Sequence, residues 1–203
     1  MKKTLTMVLA FALVFALGVG GTLAWLTATS PEVENTFTVG DINIDLKEHT
    51  LDAEGNLTAT ETDKNAYEFV PGDTLKKDPF VTVKADSEKC YVFIEVTSAN
   101  NMIDNVQILS WAVANNWTAV STETNGSIVY RYNEVVDAST EAKTLPVLAN
   151  NEVKVSADVT KAMVTTINAE ATQPTLTFNA YAHQADNTTV DAATTAALAH
   201  FAQ

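Results

Sequence analysis

Hydrophobic and polar residues alternate with a period of two over most of the chain after Trp25, as in a β-sheet with one buried face. β-Branched and aromatic residues are frequent at the apolar positions, which favours strands. The alternation predicts strands at residues 36–39, 42–46, 80–84, 89–97, 117–120, 127–132, 153–156 and 175–183. Gly40 and Asp41 between the first two strands indicate a bulge or a corner.

Three segments carry more specific signals. Residues 89–97 are largely apolar on both faces, so this strand is expected at the centre of a sheet. Asn125 and Gly126 stand between two strands and predict a tight hairpin. Residues 47–66 are polar and contain Gly, Asn and Asp, so they are expected to form an exposed loop or an irregular hairpin.

Two short helices interrupt the strand pattern. The first is predicted at residues 158–169, opened by Asp158 or Thr160 as the N-cap, and the second at residues 191–201, after Asp191. About eight short strands separated by turn signals are typical of two stacked antiparallel sheets. The sequence therefore predicts an all-β fold, a two-sheet β-sandwich of jelly-roll type with one or two short helices.

The N-terminus has the layout of a secretory signal peptide. Two lysines precede an uninterrupted apolar run at residues 7–19, and Thr22 and Ala24 are small residues at the −3 and −1 positions of a cleavage site before Trp25. The alternative is an uncleaved membrane anchor, because residues 7–26 are long enough to cross a bilayer. Both interpretations export the remainder of the chain. We expect a signal peptide at residues 1–24, an extended N-terminal segment at 25–34 and a jelly-roll domain at 35–203.

Composition and charge exclude several classes of function. The 203 residues carry a net charge of −13, which argues against binding nucleic acid. The single cysteine, Cys90, excludes an intramolecular disulfide and Cys-rich metal sites, and its place in a doubly apolar strand predicts a buried, unreactive thiol. His49, His183 and His200 form no His-Glu-x-x-His motif, so they are expected to be solvated or edge residues. The sequence predicts no catalytic residues, no cofactor and no enzyme.

The sequence leaves two kinds of ligand possible. Acidic pairs at residues 41 and 45, 73 and 78, and 86 and 88 offer oxygen ligands for Ca²⁺, although none has the spacing of an EF-hand loop and all suit solvated turns. Four aromatic residues offer a carbohydrate-stacking surface, but those that face inward are expected to fill the core. They are Trp111, Trp117, Tyr130 and Tyr132.

The order of several sequence blocks resembles the camelysin/TasA family. Residues 20–26 (GGTLAWL) and 35–42 (NTFTVGDI) look like the export signal and first strand of that family. Its later blocks are similar to residues 70–79 (VPGDTLKKDP), 90–96 (CYVFIEV) and 180–185 (AYAHQA). Members are exported surface proteins of Gram-positive bacteria, and a dedicated SipW-type signal peptidase processes them. The resemblance therefore implies a secreted protein of the cell surface or extracellular matrix.

The resemblance also implies a jelly-roll subunit of biofilm-matrix fibres. In such fibres the processed N-terminal strand of one copy completes the sheet of the next, so the partners are the chain itself, head to tail, and the signal peptidase. Membrane contact is expected only through the uncleaved signal. The segment that would assemble includes Trp25, Leu26, Val33, Phe37 and Val39.

The physical basis is that an exposed apolar strand is a template for another chain. The alternative is that residues 25–39 fold back on their own sheet or trail as a disordered tail. Two other functions remain: a secreted metalloprotease of the camelysin type, for which casein cleavage is described, and a monomeric surface adhesin.

Overall fold

Thirteen strands and two α-helices make up the described part of the chain, which confirms the all-β prediction. The computed structural model describes residues 40–167 and 172–203. The strands are β1 (Ile44–Leu51), β2 (Leu57–Thr62), β3 (Thr74–Lys76), β4 (Phe80–Val83), β5 (Cys90–Ala99), β6 (Met102–Ile103), β7 (Val106–Gln107), β8 (Leu109–Ser110), β9 (Trp117–Ala119), β10 (Ser127–Tyr132), β11 (Lys143–Pro146), β12 (Glu152–Val155) and β13 (Thr175–Gln184). The helices are α1 (Lys161–Ile167) and α2 (Val190–Phe201), and a 3₁₀ turn lies at Ala149–Asn151.

Eight of the strands form two antiparallel sheets that pack face to face. Their strand orders are β2-β1-β4-β11 and β13-β5-β10-β9. Inner residues of both sheets build one apolar core. β1 contacts β13, and the indole N–H of Trp117 in β9 donates to the Pro146 carbonyl of β11 at 2.8 Å. Because β1 lies over β13 and β11 over β9, β2 extends past the edge of the second sheet.

The four aromatic residues singled out in the sequence belong to this core. Trp117 is buried, and Trp111, Tyr130 and Tyr132 pack against the core with partial exposure. Trp117 and Tyr132 make an edge-to-face contact with 5.1 Å between ring centroids. The interpretation of these residues as core is confirmed.

β5 occupies the central position that its doubly apolar pattern predicts. It pairs with β13 on one side and β10 on the other. Cys90, Val92 and Ile94 point into the core between the sheets and are fully buried. Phe93 is also fully buried, but on the opposite face, where α2 covers it with Ala193.

The β1–β2 hairpin corrects the boundaries of the strand predicted at residues 42–46. Sequence alternation ended this strand at residue 46, whereas β1 continues to Leu51. Of the two predictions for residues 47–66, the irregular hairpin is confirmed, because the pairing register shifts between His49 and Leu51. Alternation missed the extension because the polar residues Glu48 and His49 are held there by partners distant in sequence.

A second apolar core lies beside the sandwich. The three-stranded sheet β3-β12-β8 packs with α1. Leu176 and Phe178 of β13 contact this core as well as the first one. The helix begins after Thr160, whose hydroxyl accepts the Met163 N–H at 3.4 Å, so the Thr160 alternative for the N-cap is confirmed.

Two further local predictions are confirmed with small changes. Asn125 and Gly126 have φ values of 52° and 79°, as the two central residues of a type I′ turn require, and they connect the β9–β10 hairpin. α2 begins one residue earlier than predicted because Thr189 is its N-cap and accepts the Ala192 N–H at 3.2 Å. The sequence pattern missed the short strands β3, β6, β7, β8 and β11.

Candidate functional site: a strand edge beside an apolar cleft

β13 is a long strand with one free edge. All ten of its residues pair with β5, from Thr175 opposite Ala99 to Gln184 opposite Cys90. No described strand pairs with its other side. An unpaired edge presents backbone N–H and C=O groups, which another extended chain can pair with. Within the described residues, β13 therefore offers a place for an added strand.

The other three edges of the two stacked sheets are less suitable for pairing. β9 has three residues, and β11 has four, including Lys143 and Pro146. β2 carries Glu61 and borders a break in register. Short length, charge and proline all oppose edge-to-edge pairing. By contrast, residues 175–182 of β13 contain neither a charged residue nor proline.

An apolar cleft of about 850 Å³ opens beside the first half of β13. Its volume lies within the roughly 300–1,000 Å³ range of ligand sites. The apolar lining comes from the three-stranded sheet β3-β12-β8, called the third sheet below, and from α1, β13 and the residues before β3. These side chains are Phe69, Leu75, Leu109, Val153, Val164, Ile167, Pro174 and Leu176. The cleft is therefore an extension of the second core that remains open at the β13 edge.

Residues 65–69 form one wall of the cleft. They make no backbone–backbone hydrogen bond with any described residue. Side chains hold them instead: the Asn65 amide donates to the His49 carbonyl at 2.8 Å, and the Tyr67 hydroxyl donates to Glu48 at 3.4 Å. The backbone of residues 65–69 is therefore held in place by side chains and not by strand pairing.

A buried ion pair stabilises this wall. Lys77 Nζ lies 2.7 Å from Glu48 Oε2, and 13% and 7% of their side chains are exposed. The same ammonium lies 5.2 Å from the centre of the Tyr67 ring and 5.5 Å from that of Phe178, both within cation–π range. Burial raises the pKa of Tyr67, and the charge on Glu48 raises it further. The phenol is therefore a hydrogen-bond donor at neutral pH.

His49 belongs to a second polar pair in the same sheet. Its Nδ1 lies 2.6 Å from Asp78 Oδ2, and its backbone N–H donates to Asp78 Oδ1 at 3.1 Å. Asp78 is buried, and the imidazole packs against the Phe80 ring at 5.0 Å. The pair fixes β1 beside the start of β4.

The other two histidines lie on the outer face of the second sheet. His200 of α2 stacks on Tyr181 of β13 at 4.6 Å, and His183 meets the same ring at 6.2 Å. The structure therefore does not bring them together with His49. Across residues 40–167 and 172–203, no three His, Cys, Asp or Glu side chains are grouped so that they could hold a metal ion.

Cys90 is buried, as its strand position predicts. None of its surface is exposed, and burial raises the pKa of its thiol to about 11. A thiol in this setting is a small apolar side chain and a poor nucleophile at neutral pH.

The cleavage and assembly residues predicted from the sequence lie outside the described residues. They are Ala24, Trp25, Leu26, Val33, Phe37 and Val39, and with them the predicted strand at 36–39 and the segments at 1–24 and 25–34. Sequence reasoning found the strand that became β13 but missed that its edge is free. It also missed Glu48, Tyr67 and Lys77, which no motif connects.

No family model, no curated protein and no solved structure matches the chain. The described helices are all too short or too polar to span a bilayer. The fold and site define an all-β sandwich-like protein with an open strand edge beside an apolar cleft.

Proposed function

We propose that this chain is an exported structural protein of the extracellular or biofilm matrix, built as a jelly-roll sandwich, that assembles head to tail into fibres. In the fibre, residues 25–39 of one copy, released by cleavage between Ala24 and Trp25, pair with β13 of the next. A SipW-type signal peptidase would make the cleavage. The observation that carries the proposal is the free, uncharged edge of β13 beside an apolar cleft.

The N-terminal segment has the pattern that this edge requires. Val33, Phe37 and Val39 are at odd positions, so an extended chain presents them on one face, towards the apolar cleft. Strand addition takes its affinity from backbone hydrogen bonds and its specificity from such alternate side chains. Because donor and acceptor surfaces differ, the contact repeats without closing and yields a filament.

Pairing between copies is favoured over folding back by the position of Gly40. The carbonyl of its neighbour Asp41 accepts the Glu88 N–H at 3.0 Å, and the Ala185 N–H donates to Lys89 at 2.8 Å. The chain therefore enters the described part near the end of β13, whereas the cleft lies near its start. To reach its own cleft, the segment would run parallel to β13, the slightly less stable arrangement. A second copy is free to add antiparallel.

A cross-linking experiment on the full-length, exported chain tests the proposal. Thr36→Cys and Thr177→Cys are combined, and the product is treated with a short bismaleimide. Head-to-tail pairing predicts a ladder of covalent oligomers, since native Cys90 is buried and does not compete. Each single variant is the control and gives no ladder. A covalent monomer alone would show folding back, and the absence of any cross-link would contradict pairing at β13.

Deletion of residues 25–39, the whole proposed donor strand, provides a second test. We expect the shortened exported protein to stay monomeric, whereas the parent forms filaments in electron micrographs. If the deletion leaves the filaments unchanged, residues 25–39, the proposed donor segment, do not mediate assembly. In the part of the chain that the structure describes, no feature favours the metalloprotease or the adhesin over this function.

A further inference from the structure

Lys64 differs from Lys47 and Lys77, the other lysines of the two clefts, because it has no carboxylate partner among the described residues. Of the nine lysines in the described residues, six form ion pairs: Lys47, Lys76, Lys77, Lys84, Lys89 and Lys143. The three without an ion pair among the described residues are Lys64, Lys154 and Lys161. Of these three, only Lys64 lines the cleft.

Lys64 lies at the junction between two clefts. It lines the large cleft and also an adjoining cleft of about 340 Å³ that continues along β13. Lys47 and Lys77 line the smaller cleft too, but Asp63 and Glu48 neutralise them. Glu68, four residues beyond Lys64, lines only the large cleft. Lys64 is therefore the one lysine of the two clefts that has no ion pair among the described residues.

The donor segment carries the complementary charge. Glu32 and Glu34 are the only charged residues between Trp25 and Val39. Both are at even positions, so in an extended chain they lie on the face opposite Val33 and Phe37. If the apolar face is buried in the cleft, the two carboxylates face away from it, and Lys64, which is exposed and lines both clefts, is the described lysine available to pair with them.

We propose that Lys64 selects the partner segment and sets its register by pairing with Glu32 or Glu34 of the incoming copy. This inference rests on the proposed function, because the partner is a second copy of the chain. A register shift of one residue turns every side chain to the other face. An ion pair at one point of the strand therefore favours the register that buries the apolar face. It also offsets part of the repulsion between two acidic copies.

Charge reversal in the full-length, exported chain tests this pairing. We expect Lys64→Glu to raise the critical concentration for filaments about tenfold, and Glu32→Lys with Glu34→Lys to do the same. The triple variant restores opposite charges and should return the critical concentration to within about threefold of the parent. Lys161→Glu is the matched control, since Lys161 is also exposed, has no ion pair and does not line the cleft. Thermal unfolding of each variant checks the fold.

The outcomes separate this inference from the proposed function. Filaments of Lys64→Glu at the parent's critical concentration would overturn the pairing while leaving the strand addition intact. The pairing is equally wrong if the triple variant assembles no better than Lys64→Glu. If the parent itself forms no filaments, the proposed function fails, and the inference fails with it.

Discussion

The backbone of Gly126 lies directly against the backbone of Ser98. The Ser98 N–H donates to the Gly126 carbonyl at 2.8 Å, and a Cβ built on Gly126 would lie 2.3 Å from the Ser98 carbonyl oxygen. The β9–β10 turn is therefore fixed to β5 by contact as well as by turn geometry.

We expect Gly126→Ala to destabilise the protein by more than Gly55→Ala. Both glycines have φ of 79°, so both substitutions carry the cost of about 1–2 kcal/mol for an L-residue in this region. Only the substitution at residue 126 adds a backbone clash, which should lower the free energy of unfolding by about 1–3 kcal/mol more, the usual cost of overpacking. A Cβ at residue 55 meets nothing within 4 Å. Chemical denaturation of both variants measures the difference, and equal losses would contradict the contact.

The buried Glu48–Lys77 pair predicts a strong effect when one partner is removed. Glu48→Ala leaves the Lys77 ammonium buried without a counter-charge, so the free energy of unfolding should fall by about 3–5 kcal/mol. Combining Glu48→Leu with Lys77→Met should recover most of the loss, because no buried charge remains. Urea unfolding gives these values.

The control for this prediction is the Lys47–Asp63 pair, in which 80% of the Asp63 side chain is exposed. Asp63→Ala should shift the unfolding midpoint little, since solvent screens exposed pairs. A loss as large as that of Glu48→Ala would show that burial is not the cause.

Native Cys90 should react slowly with thiol reagents. Burial raises its pKa to about 11, so about one thiol in a thousand is ionised at pH 8. Because none of its surface is exposed, the thiol reacts only when the structure opens locally, so we expect labelling of the native protein at pH 8 to be far slower than labelling of the unfolded protein. In guanidinium chloride the thiol has its ordinary pKa of about 8.5 and should react within the mixing time. Fast labelling of the native protein at pH 7 would contradict burial.

The turn between β1 and β2 should loosen as Asp52 is protonated. The carboxylate accepts the N–H groups of Asn56 at 2.8 Å and Glu54 at 3.0 Å. The Asn56 backbone hydrogen bond, above all, lowers the pKa of Asp52 below its ordinary value of 3.8. A lowered pKa means that the stabilisation is present above the ordinary value and is lost as pH falls through the folded one.

NMR titration of the Asp52 carboxyl carbon checks the direction of this shift. In Asp52→Ala, hydrogen exchange of the Glu54 and Asn56 amides should become faster than in the parent. Exchange of the Cys90 amide, which donates to the Val136 carbonyl at 3.0 Å far from the turn, is the internal reference. A pKa at or above 3.8 would show that the turn does not depend on this carboxylate.

Sequence reasoning succeeded where local pattern determines structure. The doubly apolar alternation of β5 predicted a central strand, and Asn125-Gly126 predicted the hairpin, because both signals lie within a few neighbouring residues. It failed at the end of β1, where Glu48 and His49 read as loop residues. Their partners Lys77 and Asp78 are 29 residues away in sequence, so alternation could not reveal that they are satisfied in a sheet.

The candidate site was harder to predict for the same reason. The sequence contains the β13 strand, but whether a strand has a second neighbour is decided by how the sheets stack. The cleft combines side chains from three strands of the third sheet, α1 and residues 64–69, which come together only in the fold. No motif within the sequence joins them.

Leu176 and Phe178 are shared by the two apolar cores, and both line the clefts along the β13 edge. Whatever fills that edge therefore shields both cores from local opening, on which proteolysis depends. If copies assemble as proposed, they should outlast single copies in a protease-rich environment, and turnover would remove the subunits that have no neighbour.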